Sequence, residues 1–496
     1  MEIQNTAANT FGIQNIAKLR KKVRTVSGVT IVSVMTKPLP CPGKCVYCPG
    51  GDFKEIPTPK SYLPKSPTVL RASRFNYDAR EQVEARVEAL NAIGHISEKN
   101  EVIVMGGTFM ATPKNYRYEF IKGIYDGLNG YVSKDLEEAK KFNETAKQRC
   151  VALCIETRPD WCHDFQIDEM LSFGTTRVEM GIQVPDDHSY ELTKRGHTVK
   201  DVIETTKKLK DAGFKVFYHY MCNLPGSDFE KDIMLYEKLF TDPNFQPDGL
   251  KIYPCQVIED TEMASWIEDG RHVPYTDEQL VELIARCKLL TPRYARIQSI
   301  MRAFPAEYIV GGSKYSHLRI AAQALIKKNG EQCKCIRCRE VGYNIIAGKK
   351  INSENVKLNR LDYDASGGKE IFLSFDDSVT DSVIGILRLR IPSFANKTNS
   401  WNSLNSSHNN RPEITETSTI VRELHVYGWQ KGFGDEKTLG ETFQHRGYGK
   451  RLLEEAERIT KELGFDKIVV ISGIGAREYY RKFGYYLEGA YMVKHV

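Results

Sequence analysis

Three thiols spaced CxxxCxxC, Cys41, Cys45 and Cys48, stand in the stretch CPGKCVYCPGG. Three thiolates can hold three irons of a 4Fe-4S cube and leave the fourth iron open, as a catalytic zinc keeps one position for its substrate. An open iron can bind S-adenosylmethionine. Reductive cleavage of that sulfonium gives a deoxyadenosyl radical able to take hydrogen from an unactivated carbon. A zinc knuckle is the other reading of these thiols, but zinc prefers four closed ligands and no fourth Cys or His lies in the local loop. A second group, Cys333, Cys335 and Cys338, forms a CxCxxC whose simplest occupant is a zinc that clamps a loop. Its fourth ligand is not visible; His317 and Cys255 are candidates, water can serve, and a second iron-sulfur cluster is the rival occupant.

Other residues have types that suit ligand binding. Gly106-Gly107 follows a β-branched run and lets backbone approach a ligand closely, so that a strand-edge carbonyl there could hold the amino group of S-adenosylmethionine. Polar side chains end later runs: Glu156 and Arg158 in IETRPD, Glu179 and Gln183 in RVEMGIQ. In a barrel mouth they would contact the ribose or carboxylate of a nucleoside cofactor, with interstrand ion pairing as the alternative. Near the C-terminus, Gln444, Gly447 and Gly449 form QxxGxG between a strand and an amphipathic helix. Such a turn offers free amides and the positive end of a helix dipole to a pyrophosphate, the acyl-CoA arrangement of the GNAT acetyltransferases.

The elements that must position these groups follow from periodicity. Strand-like runs at 29–35, 101–105, 151–157, 177–183, 215–221 and 249–253 alternate with helical stretches, such as 77–94 with Val83, Val87, Leu90 and Ile93 on one face. This predicts an α/β fold, a partial parallel (β/α)6 barrel with right-handed crossovers, in which chemistry sits on loops at the carboxyl ends of strands. The first cysteine loop directly follows the first strand. Between 286 and 302, Arg286, Lys288, Arg293, Arg296 and Arg302 surround Tyr294, which reads as an RNA-facing surface or a solvated helix face. From 367 onward the pattern is mixed α+β. Two antiparallel strands, KEIFLSFDD and VIGILRLRI, precede an Asn/Ser-rich loop at 395–418 and a strand at 420–427. A helix with Leu452, Leu453, Ala456, Ile459 and Leu463 on one side then ends at Gly464, before a strand at 467–472.

A chain of 496 residues needs more than one core. The expected division is a basic N-terminal arm (1–28), a radical S-adenosylmethionine partial barrel (29–305), a metal-binding linker (306–366) and a GNAT-like domain (367–496). Residues 1–40 carry six basic side chains (Lys18, Arg20, Lys21, Lys22, Arg24 and Lys37) against one acid, Glu2. That excess fits a polyanionic partner or a solvated basic helix. No run approaches the ~18 apolar residues of a membrane span, and the N-terminus lacks a signal-peptide core. The expectation is a cytoplasmic protein without a membrane partner, whose twelve cysteines include metal ligands rather than disulfides.

Taken together, CVYCPGG, VMGGTFM, IETRPD, RGHTVK, DGLKIYP, REVG, IVRELHVYG, GYG and GAREYYRKFGY resemble the catalytic subunit of Elongator in its single-chain archaeal and bacterial form. The resemblance implies formation of 5-carboxymethyluridine at the tRNA wobble position, with acetyl-CoA as carbon donor. It makes Cys41, Cys45 and Cys48 the cluster ligands. It gives Glu423, Leu424, His425, Val426, Tyr448, Gly449, Lys450 and Tyr480 as acetyl-CoA contacts, with Arg149 at a position usually held by Lys. It further implies a tRNA anticodon stem-loop and an external electron donor as partners, and leaves monomer and homodimer both open. Two rival readings are a protein lysine acetyltransferase with a structural cluster and a non-catalytic tRNA-binding subunit. The complete cysteine triad argues against both, because neither needs an open iron.

Overall fold

In chain order, β1 (Thr30–Met35), β2 (Lys99–Met105), β3 (Arg149–Thr157), β4 (Arg177–Gln183), β5 (Lys215–Tyr220) and β6 (Gly249–Ile252) pair side by side, all parallel. This computed structural model describes residues 25–53, 56–395, 411–433 and 443–496. The basic residues Lys18 to Arg24 of the arm, and most of the Asn/Ser-rich loop, lie outside the described residues. Helices cover the sheet: Ala79–Ala92, capped by Asp78, turns Val83, Val87 and Leu90 inward. No helix among the described residues is long and apolar enough to cross a membrane.

The parallel sheet has seven strands, one more than the pattern predicts. A short β7 (Val257–Ile258) leaves it, and β8 (Arg296–Ile300) pairs with β6. β8 escaped detection because it begins in a charge and is mostly half-buried, so it shows no apolar run. It also overturns the RNA-facing reading of 286–302. Arg286 pairs with Glu230 at 2.9 Å, Lys288 is buried 3.3 Å from Cys338 Sγ, and Arg296 pairs with Glu340 at 2.8 Å. Arg293 pairs with Asp381, and Tyr294 stacks on Tyr363. These basic groups are committed to structure, and only Arg302 turns into a cavity. β9 (Ile309–Gly311) pairs antiparallel with β7.

The second sheet runs β10 (Val356–Ala365), β11 (Gly368–Asp377), β12 (Ser382–Ile391), β13 (Ser418–Val426), β14 (Lys467–Val470), then β16 (Tyr491–His495) and the edge strand β15 (Tyr486–Glu488). β13 and β14 are parallel; the other pairs are antiparallel. In the exposed edge strand β10, drawn from the 306–366 segment, the alternation of Val356 and Leu358 slips by one residue at Asn359–Arg360 before Leu361, Tyr363 and Ala365, and the pattern does not predict it as a strand. Helix Tyr448–Glu462 buries Leu452, Leu453, Ala456 and Ile459 against this sheet. Leu463, expected on the same side, is 39% exposed, because the helix has already ended in front of Gly464 (φ 77°).

The two sheets meet through charge. Asp248, at the amino end of β6, accepts from Arg422 of β13 at 2.6 and 2.7 Å, and Arg422 also reaches Glu370 of β11 at 2.8 Å. Arg390 of β12 donates to Asp211 and Glu370 at 2.8 and 2.9 Å. Charges buried this deeply persist only when paired. The amino ends of the parallel strands therefore rest on the second sheet, and their carboxyl ends face away from it.

Candidate active site

At those carboxyl ends lies a cavity of about 520 Å³ lined by Cys41, Cys45 and Cys48. Gly43 lets their loop lie so close to Arg158 that a Cβ there would collide with its guanidinium. Cys41 Sγ is 3.6 Å from Thr108 Oγ1, and Arg195 donates from Nη1 to Cys45 Sγ at 3.3 Å. Burial alone would raise the Cys45 pKa, but Arg195 and Arg158 hold it below the usual thiol value. Cys48 lacks that compensation, and burial with the neighbouring Cys45 pushes it up to about 12. At Gly106 (φ 138°) a Cβ would fall on Thr36 Oγ1, and Gly107 beside it lines the cavity.

The facing wall is a buried polar cluster. Lys251 Nζ sits between Glu179 and Glu156, 3.1 Å from Glu156 Oε1. Tyr62 donates its hydroxyl to Glu156 Oε2 at 2.9 Å, and His219 Nε2 lies 3.1 Å from Glu179 Oε2. Glu156, Glu179 and His219 are close enough to suggest a metal, but the Lys251 ammonium already occupies the space between the carboxylates. Burial favours the neutral forms of Lys251 and Glu179, yet each is held charged: Lys251 well above its ordinary value by Glu179, and Glu179 well below its own by Lys251 and Arg177. Gln183 (φ 66°) also lines the cavity, as does Arg302, whose guanidinium lies 4.5 Å from the Phe304 ring and 5.6 Å from that of Tyr62. Arg158 lines it too, with its guanidinium tied to Asp160 and the Arg195 carbonyl. Sequence reasoning missed Lys251, His219, Arg195 and Tyr62, and named Arg302 only within the 286–302 basic group. The available signal was the alternation of polar residues along β4 and β5, where a fully buried strand should be apolar throughout.

The acyl-CoA motif lies at the other end of the parallel sheet. β13 and β14 pair only from Ser418–Val421 to Lys467–Val470; β13 then runs on to Val426, opening a wedge. Gly447 (φ 81°) caps helix Tyr448–Glu462, whose first turn presents the amides of Tyr448, Gly449 and Lys450. A Cβ on Gly449 would lie 2.6 Å from the Tyr479 hydroxyl. Tyr480 is buried between Tyr479 and Tyr485. Leu424 and Val426 are half-buried along the wedge.

Three predicted contacts have side chains engaged elsewhere. Glu423 points away from the wedge to Lys215 and Arg388. His425 Nε2 lies 2.7 Å from the Ser27 carbonyl oxygen, and its ring stacks on Tyr427. Gln444 donates to the carbonyls of Gly28 and Val426, clasping the chain that leads into β1. Lys450 is exposed beside Glu454 at 3.5 Å. Arg149 opens β3 with its guanidinium 4.0 Å from the Phe433 ring, beside the Ile474–Ala476 turn that packs flush on β3. Lys99, which reaches Gln444 at 3.3 Å, and Met105, which lines the cavity, are the two ends of β2. At about 3.3 Å per residue the two sites are about 20 Å apart.

Among the described residues, Cys333, Cys335 and Cys338 are a thiol trio whose sulfurs all lie within 4.8 Å of one another. Neither His317 nor Cys255 joins them. Hydrogen bonding from Cys333 and Cys338 holds Cys335 well below the usual thiol value. Cys41, Cys45 and Cys48 do not form so tight a group; their wider spacing suits a cluster with one iron per thiolate better than a single ion.

Residues 40–239 match the Radical SAM superfamily, 247–328 the Radical_SAM C-terminal domain, and 426–485 the Acetyltransferase (GNAT) family. A tRNA uridine(34) acetyltransferase of Dehalococcoides mccartyi is 48% identical over 479 residues, covering 96% of this chain and 100% of its own. Elongator complex protein 3 of Schizosaccharomyces pombe is 45% identical, with 96% of this chain and 87% of its own covered. The solved structure of archaeal Methanocaldococcus infernus Elp3 with an N-terminal deletion aligns with a TM-score of 0.82 at 44% identity, over 95% of this chain and 100% of that one.

Proposed function

This chain belongs to the family of the tRNA uridine(34) acetyltransferases and Elongator complex protein 3, and from that premise we propose that it forms 5-carboxymethyluridine at the tRNA wobble position, taking the two new carbons from acetyl-CoA. The observation that carries this reading is the presence, in one chain, of a three-thiol cavity and an acyl-CoA wedge. Cys41, Cys45 and Cys48 would hold a 4Fe-4S cluster, a donor set that fits because all three thiols line one cavity with Arg195 beside them. Together with S-adenosylmethionine, that cluster supplies a radical able to activate a methyl C–H bond.

The chain's own residues do the rest. Gly106, Gly107, Glu156 and Gln183 border the space for S-adenosylmethionine. Arg302, Phe304 and Tyr62 offer flat surfaces on which a uracil flipped out of the anticodon loop can stack. Lys251, held charged, can orient a carboxylate or carbonyl there. In the wedge, the amides of Tyr448, Gly449 and Lys450 take the pyrophosphate, and the backbone from Glu423 to Val426 takes the pantetheine edge. Tyr480 borders the thioester and Arg149 the nucleotide. Cys333, Cys335 and Cys338 would bind a structural zinc. The basic arm would grip the anticodon stem-loop, and an external donor would supply the electron.

Anaerobic incubation with labelled acetyl-CoA, S-adenosylmethionine and tRNA, read by nucleoside mass spectrometry, tests this. Labelled 5-carboxymethyluridine is expected, and Cys45→Ser should abolish it while tRNA binding survives. Product formed equally by that variant would overturn the radical assignment; acetylated protein lysine in place of modified tRNA would favour an ordinary acetyltransferase.

A further inference from the structure

Arginine cannot shed its charge, so a buried guanidinium has to find an anion. Among the described residues the buried arginines do so with carboxylates: Arg117 with Glu169, Arg158 with Asp160, Arg477 with Glu144, and the others likewise. Arg195 is the exception. It is 6% exposed, and its hydrogen bonds go to a thiol and a backbone carbonyl. Nη1 donates to Cys45 Sγ at 3.3 Å, Nη2 donates to the Gly181 carbonyl, and Nε is buried without a partner, closed to any ligand in the cavity. The backbone drives the side chain to this place. Arg195 follows helix Asp187–Leu192 between two residues in the left-handed region, Lys194 (φ 52°) and Gly196 (φ 80°). In the same turn the Thr193 carbonyl accepts the Val46 amide at 3.2 Å, so backbone and guanidinium both hold the cysteine loop. A Cβ on Gly181 would lie 2.8 Å from Nη2, so β4 too is shaped to admit this group. The fold has placed against Cys45 a fixed positive charge whose anionic partner is that thiolate.

We propose that Arg195 sets the reduction potential of the iron-sulfur cluster, making it easier to reduce than its three thiolates alone would. The inference rests on the cluster assigned to Cys41, Cys45 and Cys48 in the function proposed above. Counting three thiolates, a 4Fe-4S cluster carries one net negative charge when oxidised and two when reduced. One electron from the external donor makes that change, and no bond forms or breaks. A positive charge and an N–H donor against a cluster sulfur stabilise the doubly charged form more, which raises the potential. Burial strengthens the effect, because little water screens the pair. Arg158 contributes less, since Asp160 offsets its charge through two contacts at 2.9 Å. Arg195 therefore acts through the cluster and touches no substrate: it is a positioning residue for charge.

Arg195→Met keeps much of the length and removes the charge, whereas Arg195→Lys keeps the charge on a similar stem. Each full chain is loaded anaerobically with iron and sulfide, and the reduced cluster is quantified by electron paramagnetic resonance in a dye-mediated potential titration without S-adenosylmethionine. At the potential where half of the wild type is reduced, the Met variant should show a reduced-to-oxidised ratio at least tenfold lower, a midpoint about 59 mV lower for a one-electron couple. The Lys variant should lie closer to wild type. A Met variant with the wild-type midpoint, or Met and Lys variants displaced equally, overturns the proposal. Should Arg195→Met lose iron, Arg195→Gln, which keeps an N–H donor without the charge, carries the same test with the same outcomes. A wild type that holds no 4Fe-4S cluster would instead overturn the function proposed above, and this inference with it.

Discussion

Arg422→Met should loosen the seam between the two sheets. Arg422 is wholly buried and donates to both oxygens of Asp248 at 2.6 and 2.7 Å, to Glu370 at 2.8 Å and to the Phe214 carbonyl at 2.7 Å. Removing one partner of a buried ion pair strands charge and costs about 3–5 kcal/mol. Arg388 Nη1, 3.6 Å from Asp248, offsets part of this. So does Lys210, which burial above all, with Arg422 contributing, depresses to about 7; it takes up a proton more readily once Arg422 is gone. The expected cost is therefore about 3 kcal/mol near neutrality, growing at higher pH as Lys210 stays neutral. The double variant Asp248→Asn, Arg422→Met strands less charge and should cost less than the single one. Urea titration followed by both fluorescence and circular dichroism measures this, with acetyl-CoA binding to the neighbouring wedge as a second readout. A single variant within about 0.5 kcal/mol of wild type, or a double variant as unstable as the single, would refute the reasoning.

Gly106→Ala should destabilise the protein by more than about 1 kcal/mol and raise the S-adenosylmethionine requirement, because φ is 138° and the new Cβ meets Thr36 Oγ1; an unchanged melt would show that the strand end yields freely. Burial pushes the Asp232 carboxyl from 3.8 up to about 6 despite its donors Ser227, Tyr275 and the Asn223 amide. A carboxyl raised in the folded state contributes stability that is full below its unfolded value and is lost as pH rises through the folded one, here on the order of 3 kcal/mol. Asp232→Asn should flatten that fall in denaturation midpoint; equal falls in both proteins would contradict it. Cys335→Ser should remove zinc from the purified protein and lower its stability without changing cluster iron, as judged by elemental analysis. Loss of iron instead would identify that trio as an iron-sulfur site.

What was legible in the sequence follows a physical division. β1 and β2 show because buried parallel strands are rich in β-branched residues, β3 to β6 because short apolar-rich runs alternate with helical stretches, and the cysteine loop and Gly447 turn because their chemistry fixes spacing. β8 did not show because its half-exposed stretch has no apolar period to read, and β10 because its alternation slips by one residue in mid-strand. The interior charges were hidden for another reason. Lys251 is the single polar letter in its own strand, and its partner Glu179 lies on a different one. Only the closed sheet brings them together. Family motifs located Glu423, His425 and Gln444 at the wedge but could not tell backbone contacts from side chains, and all three side chains turn out to fasten the wedge to the barrel or to the chain before it.

The central claim is that a radical made in the barrel cavity acts on the acetyl group bound by the same chain. Turnover with trideuterated acetyl-CoA, unlabelled S-adenosylmethionine and tRNA tests it most directly. The account predicts deuterium in the 5′-deoxyadenosine and a dideuterated carboxymethyl group on the uridine. Deoxyadenosine free of deuterium, formed alongside modified tRNA, would contradict it.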